Sequence, residues 1–273
     1  MPTSNGLPDY DPALKAYHAA FAPELEAAVR RYELGPSDRV LDSPCGDGFY
    51  TNLFVRHMRG GTLVAADLSP AYLDLAKAAV GPAPPGPTLE FVKADAYKLP
   101  FDDASFDLVW CAQSMISLAD PLKAVREMAR VLAPGGRLAV LETDEYHHVL
   151  LPWPVSLELA IQKALRAACL KRYGSGTKYA QSRKLRGLFQ EVGLTPTGKR
   201  TLVADRVAPF GPPEREFLLR HFEYLRGFVR AELTPEAEDE MNRFTSPDGP
   251  DSFLSGPDAE LTCLATVCHA TKG

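Results

Sequence analysis

Val40-Leu41-Asp42-Ser43-Pro44-Cys45-Gly46-Asp47-Gly48-Phe49-Tyr50-Thr51 joins an apolar run to a turn with two glycines and the start of a helical pattern. Nineteen residues after Gly48, the run Leu63-Val64-Ala65-Ala66 ends on Asp67, with Leu68-Ser69-Pro70 behind it. The order reads as strand, tight loop, helix, second strand and a carboxylate at that strand's C-terminal end. That is the layout of the adenosine-binding half of a nucleotide-type α/β domain. Gly46 and Gly48 remove Cβ atoms where the loop must face a ligand, and Asp67 offers two oxygens to a ribose diol.

The loop departs from the dinucleotide fingerprint. A pyrophosphate needs glycines at G-x-G-x-x-G so that backbone N–H groups and a helix N-terminus can surround its charge. Here Gly46 and Gly48 are followed by Thr51 at the third glycine position, and Pro44 stands two residues before Gly46. Proline has no N–H to offer. The pattern therefore favours a nucleoside ligand without phosphates and argues against a nicotinamide-dependent oxidoreductase.

Four further segments follow in order. They are Phe91-Val92-Lys93-Ala94-Asp95-Ala96, Leu99-Pro100-Phe101, Phe106-Asp107-Leu108-Val109-Trp110-Cys111 and Arg130-Val131-Leu132-Ala133-Pro134-Gly135-Gly136-Arg137-Leu138. With the first stretch they resemble the class I S-adenosylmethionine-dependent methyltransferases of the small-molecule, type 11-like kind, from Val40 to Glu142. The resemblance implies an α/β fold: a Rossmann-like seven-stranded mixed sheet with its last strand antiparallel, helices on both faces and a helical cap. It implies S-adenosyl-L-methionine as cofactor and S-adenosyl-L-homocysteine as product. By position, the cofactor residues are Asp42, Pro44, Gly46, Gly48, Asp67, Leu68, Asp95, Ala96, Cys111 and Gln113. Asp42 either meets the methionine amino group through water or orders the glycine loop. Asp95 either reads the adenine edge or closes a turn. Cys111 and Gln113 follow the fourth strand, where the family presents backbone to the methionine end.

Around the core, residues 36–145, the expected organisation is an N-terminal helical segment at 1–35 and a helical insertion at 146–182. The sheet resumes at 183–208 and 256–273, with a second helical insertion at 209–255. Leu14, Tyr17, Phe21, Leu25, Val29 and Tyr32 recur at helical spacing, with Pro23 as a kink. Ser69 before Pro70 predicts a capped helix to Val80, which frees Asp67 for another task. Ser156 is a candidate cap for a helix carrying Leu157, Ile161, Ala164, Leu165 and Ala168. A last strand spans 260–270.

The 273 residues carry a net charge of −5, and no apolar run reaches the roughly 20 residues of a membrane span. With a polar start that is no signal peptide, the expectation is a cytoplasmic protein. The five cysteines lack metal-ligand spacing, so reduced thiols and no metal are expected. From Leu159 to Gln190 there are eight basic residues and no acid: Lys163, Arg166, Lys171, Arg172, Lys178, Arg183, Lys184 and Arg186. They either face an anionic acceptor or acidic carrier, or pair with the acidic stretch from Glu232 to Glu240. A homodimer is also left open. The overall acidic balance and the lack of a base-reading motif argue against nucleic acid.

Methyl transfer from a sulfonium is an in-line displacement, so alignment and exclusion of water can serve without a side-chain nucleophile. His147 and His148, after the fifth strand, are the candidates for a general base. Glu142 and Asp144 share their location with less suitable ordinary pKa values. The expected activity is O- or C-methylation of a small organic acceptor, a phenol, quinone precursor or polyketide-like molecule. The competing reading is a protein that binds the cofactor without transferring its methyl group, acting as a sensor or assembly partner.

Overall fold

Val40-Leu41 and Leu63–Ala66 are apolar on successive residues rather than alternate ones, which suits strands covered on both faces. In the computed structural model, which describes residues 11–82, 86–143, 148–175 and 180–273, both are buried in the middle of one sheet. Its strands are β1 (Arg39–Asp42), β2 (Thr62–Asp67), β3 (Thr88–Lys93), β4 (Phe106–Ala112), β5 (Leu132–Thr143), β6 (Val149–Leu151), β7 (Thr195–Val207) and β8 (Glu260–Thr271). β3, β2, β1, β4 and β5 lie side by side and parallel. β8 runs antiparallel beside β5, and β7 pairs along the other edge of β8.

The expected mixed sheet with an antiparallel last strand is therefore present, with one strand more than the seven expected. That strand is β6, which pairs with Glu260–Thr262 of β8 beyond Ala265, where β5 ends. Three residues, Val149-Leu150-Leu151, are too short to show an alternation in sequence.

The helices are α1 (Asp11–Ala20), α2 (Ala22–Val29), α3 (Phe49–His57), α4 (Pro70–Val80), α5 (Pro121–Val131), α6 (Val155–Tyr173), α7 (Leu185–Glu191), α8 (Pro212–Val229) and α9 (Pro235–Thr245). Strand alternation sends side chains to opposite faces. Val40, Leu63, Leu108, Trp110, Ala139 and Leu141 pack in the core shared with α1, α2, α3, α6 and α8. Leu41, Val64, Val109, Cys111, Leu138 and Val140 pack with α5 and α7 on the other face.

Ser69 caps α4 as expected, its Oγ accepting the Tyr72 N–H at 3.4 Å. Pro23 does not kink one helix. It stands in the first turn of α2 after a break at Phe21, the position where a missing N–H costs no hydrogen bond. Ser156 does not cap α6, which starts at Val155 without a side-chain cap.

The basic stretch forms no single surface. α6 carries Lys163, Arg166, Lys171 and Arg172 on one face of the sheet, while Arg183, Lys184 and Arg186 accompany α7 on the other. Lys171 pairs with Glu232 at 3.0 Å but is 74% exposed, so solvent screens most of that attraction. The Arg172 guanidinium lies 5.5 Å from the Phe228 ring centre. Lys178 lies outside the described residues. All five cysteines are free thiols, and no metal-ligand cluster occurs among the described residues.

Candidate active site

β1 and β2 end side by side, which brings Asp42 and Asp67 to the same edge of the sheet. The chain leaving β1 crosses a cis Ser43–Pro44 bond and is tied back by the Cys45 N–H, which donates to Ala66 O at 2.9 Å. The Gly46 N–H then donates to Asp67 Oδ2 at 3.0 Å, and the Ser69 N–H donates to Asp67 Oδ1 at 2.9 Å. Asp67 is not fully freed by the Ser69 cap, because it clamps both loops. A carboxylate has about four lone-pair sites, so each oxygen keeps one for a ligand hydroxyl. Burial pushes the Asp67 carboxyl above its ordinary value, opposed by these backbone donors.

The two glycines do different work. Gly46, at φ +53°, has open space where a Cβ would stand, as a ligand-facing position requires. Gly48, at φ +84°, would place a Cβ 2.5 Å from Ala76 Cα. Its bareness lets the start of α3 approach α4, which differs from the ligand-facing role expected of it.

Asp42 is buried and accepts the Thr51 hydroxyl at 2.6 Å, which joins β1 to α3. Burial pushes its carboxyl up to about 7, with the Thr51 bond lowering it and the charges of Asp67 and Asp47 raising it further. The Thr51 bond is the contact that a loop-ordering role would use. Leu68 is 59% exposed beside Asp67. Asp95 is exposed and accepts the Tyr97 N–H at 2.8 Å, so a turn role is visible for it, while neighbouring Ala96 is buried. Cys111 is fully buried against the α5 face, with burial the first cause pushing its thiol well up, so its side chain belongs to the core.

Gln113 has φ +52° and its Oε1 accepts the Tyr50 hydroxyl at 3.2 Å. His18 Nε2 lies 2.7 Å from the same oxygen. A carbonyl oxygen carries no proton, so Nε2 donates there. The His18 ring stacks on Phe49 at 4.1 Å between centres, which sets α1 over the glycine loop. Sequence reading missed His18. Its only signal is a place beside Tyr17 on an apolar helix, and its partner is 95 residues away.

Glu142 is also buried. Its Oε1 accepts the Ser114 N–H at 3.0 Å and the Met115 N–H at 2.7 Å, fastening the loop after β4 to the end of β5. Those bonds give its Oε1 a structural role. His147 and Asp144 lie outside the described residues. His148 lines an apolar cavity of about 60 Å³ with Leu150, Trp153, Ile161, Tyr224 and His221, whose ring centre is 5.9 Å from that of His148.

The donor set fits S-adenosylmethionine. Asp67 retains acceptor sites suited to a ribose, and the acids Asp47 and Asp67 at this edge suit a ligand that bears a sulfonium and an ammonium and no phosphate. A pyrophosphate would meet the same carboxylates unfavourably.

A family model for the methyltransferase domain matches residues 41–140. Methyltransferase GfsG of Streptomyces halstedii is 38% identical over 117 residues, covering 43% of this chain and 42% of that protein. The demethylmenaquinone methyltransferase of Thermus thermophilus is 40% identical over 104 residues, covering 38% of this chain and 46% of its own length. The chain thus spans under half the length of either relative. Among solved structures, a SAM-dependent methyltransferase of Methanosarcina mazei superposes with a TM-score of 0.51 at 18% identity, covering 88% of this chain and 94% of that one. That likeness concerns the fold alone.

Proposed function

We propose that this chain, which belongs to the class I S-adenosylmethionine-dependent methyltransferases, methylates an oxygen or carbon of a small organic acceptor. The observation that carries the reading is the Asp67 carboxylate held by the Gly46 and Ser69 N–H groups at the sheet edge, with acceptor sites to spare. When bound, the cofactor supplies an electrophilic methyl group on a sulfonium. Asp67 would hold the ribose, Asp42 would keep the glycine loop in place through Thr51, and Gln113 would stand at the methionine end with His18 and Tyr50 fixing its amide.

No side-chain nucleophile is needed, because holding the acceptor in line and excluding water can supply much of the acceleration. In this proposal the acceptor's reacting end approaches the cavity beside His148, which at about 60 Å³ must widen to take a whole ring. Neutral imidazole there can take a phenol or enol proton. Among the described residues lining it, Glu158 is the one charged side chain and there is no Lys or Arg, which supports a neutral aromatic acceptor over the anionic one suggested by the basic stretch. The relative named for demethylmenaquinone supports a quinol-like ring.

The test is incubation with methyl-deuterated S-adenosylmethionine and a panel of hydroquinones, phenols and carboxylated analogues, followed by mass spectrometry. Label should move onto a neutral ring acceptor with matching S-adenosylhomocysteine. Cofactor bound but never consumed with any acceptor would favour a sensor or assembly role instead. Among the described residues no helix is long and apolar enough to cross a membrane.

A further inference from the structure

Asp42 and Asp67 stand where β1 and β2 end, at the C-terminal edge of the parallel strands. A second cavity, of about 230 Å³, opens at the opposite edge. It is bounded by Arg137, level with Leu108 near the start of β4, by His269 near the end of β8, by Thr197 and Arg200 on β7, and by Arg31 and Tyr32 after α2.

Its chemistry is one-sided. Among the described residues that line it there are three guanidinium groups and no Asp or Glu. In a chain with 35 acidic and 30 basic residues, Arg130, Arg206, Arg220, Arg230 and Arg243 are held by carboxylates, while Arg215 and Arg226 are held by backbone carbonyls. Among the described residues, Arg31, Arg137 and Arg200 form no ion pair. Arg137 is nevertheless anchored. It donates to Glu33 O at 3.2 Å, and its guanidinium lies 5.7 Å from the Tyr32 ring centre. The Tyr32 hydroxyl in turn lies 3.1 Å from His269 Nδ1. Burial first, then the charges of Arg137 and Arg31, hold the His269 imidazole below its ordinary value.

We infer that this cavity is a second ligand site, remote from the cofactor edge, which takes the phosphate group of a small molecule. Planar guanidinium forks match phosphate oxygens bidentately, and a dianion relieves the mutual repulsion of cations held without carboxylates. A recess at a strand edge admits one phosphate with a small substituent, whereas a nucleic-acid backbone needs an extended basic track. The inference does not rest on the methyl-transfer reading.

Calorimetry at low ionic strength tests it, with inorganic phosphate, ribose 5-phosphate and a short single-stranded oligonucleotide as separate titrants. The variant carries Arg31→Gln and Arg200→Gln together. Both side chains are exposed, so its thermal unfolding midpoint should match wild type. Wild type should bind the small phosphates saturably, with affinity falling about tenfold or more in the double variant. Tighter binding of ribose 5-phosphate identifies a phosphorylated metabolite as the ligand, and equal affinities identify free phosphate. The inference is overturned if wild type shows no saturable binding, if the double variant binds equally well, or if the oligonucleotide outcompetes both small anions.

Discussion

The backbone N–H of Gly46 donates to Asp67 Oδ2 at 3.0 Å, so the loop after β1 is held by the carboxylate that ends β2. Gly46 meets open space and Gly48 meets Ala76, so the same substitution should act differently at the two positions. Gly46→Ala should cost about 1 to 2 kcal/mol of folding stability for its positive φ, while weakening S-adenosylhomocysteine binding more than tenfold, because the new methyl enters ligand space. Gly48→Ala combines positive φ with a backbone clash and should destabilise by more than Gly46→Ala does. Urea unfolding and calorimetry of both variants give the ranking. The reverse order in stability would contradict the assignment.

Asp42 should make stability depend on pH. Its ordinary value of 3.8 is raised to about 7 in the fold, so the native state holds this proton more tightly than the unfolded chain does. The contribution is complete below about pH 4 and is lost as pH rises towards 7, at up to about 1.4 kcal/mol per pH unit. Asp42→Asn keeps an oxygen for the Thr51 hydroxyl and removes the titration. Measured by urea unfolding, wild type should lose stability relative to Asp42→Asn across that window. A difference that stays flat from pH 4 to 7 would mean that the carboxyl is ionised throughout.

Glu142 gives a contrast between loss of an acceptor and loss of charge. Glu142→Ala strands the Ser114 and Met115 N–H groups, and should cost about 2 kcal/mol or more. Glu142→Gln retains an acceptor oxygen and should cost less. Equal losses for the two would show that the bonds do not fasten the loop.

His148→Ala should lower turnover by roughly 10²-fold with S-adenosylhomocysteine affinity unchanged, if its imidazole takes the acceptor proton. His147→Ala, assayed beside it, separates the two candidates. Wild-type turnover in both would leave alignment and exclusion of water as the source of acceleration.

The strand, loop, helix and acid at the ends of β1 and β2 were legible because their determinants are short-range. Two glycines and an acid at fixed spacing around a strand, loop and helix announce themselves in any sequence of this fold. What escaped reading depends on distant register. Glu142 acquires its role only when β4 and β5 pair, and His18 meets Gln113 only when α1 folds over the glycine loop. The basic stretch was legible only in part for a related reason: Lys171 does pair with Glu232, but the other basic residues do not share one surface. The chain crosses from one face of the sheet to the other between α6 and α7, so charges close in sequence separate in space.

The most direct measurement is a calorimetric titration of wild type and Asp67→Ala with S-adenosylhomocysteine, and of wild type with NAD. Wild type should bind S-adenosylhomocysteine saturably and NAD not at all, and the variant should lose about 1 to 3 kcal/mol of S-adenosylhomocysteine binding as ribose hydroxyls lose their acceptor. Binding of NAD without S-adenosylhomocysteine, or unaltered S-adenosylhomocysteine affinity in Asp67→Ala, would contradict the cofactor assignment.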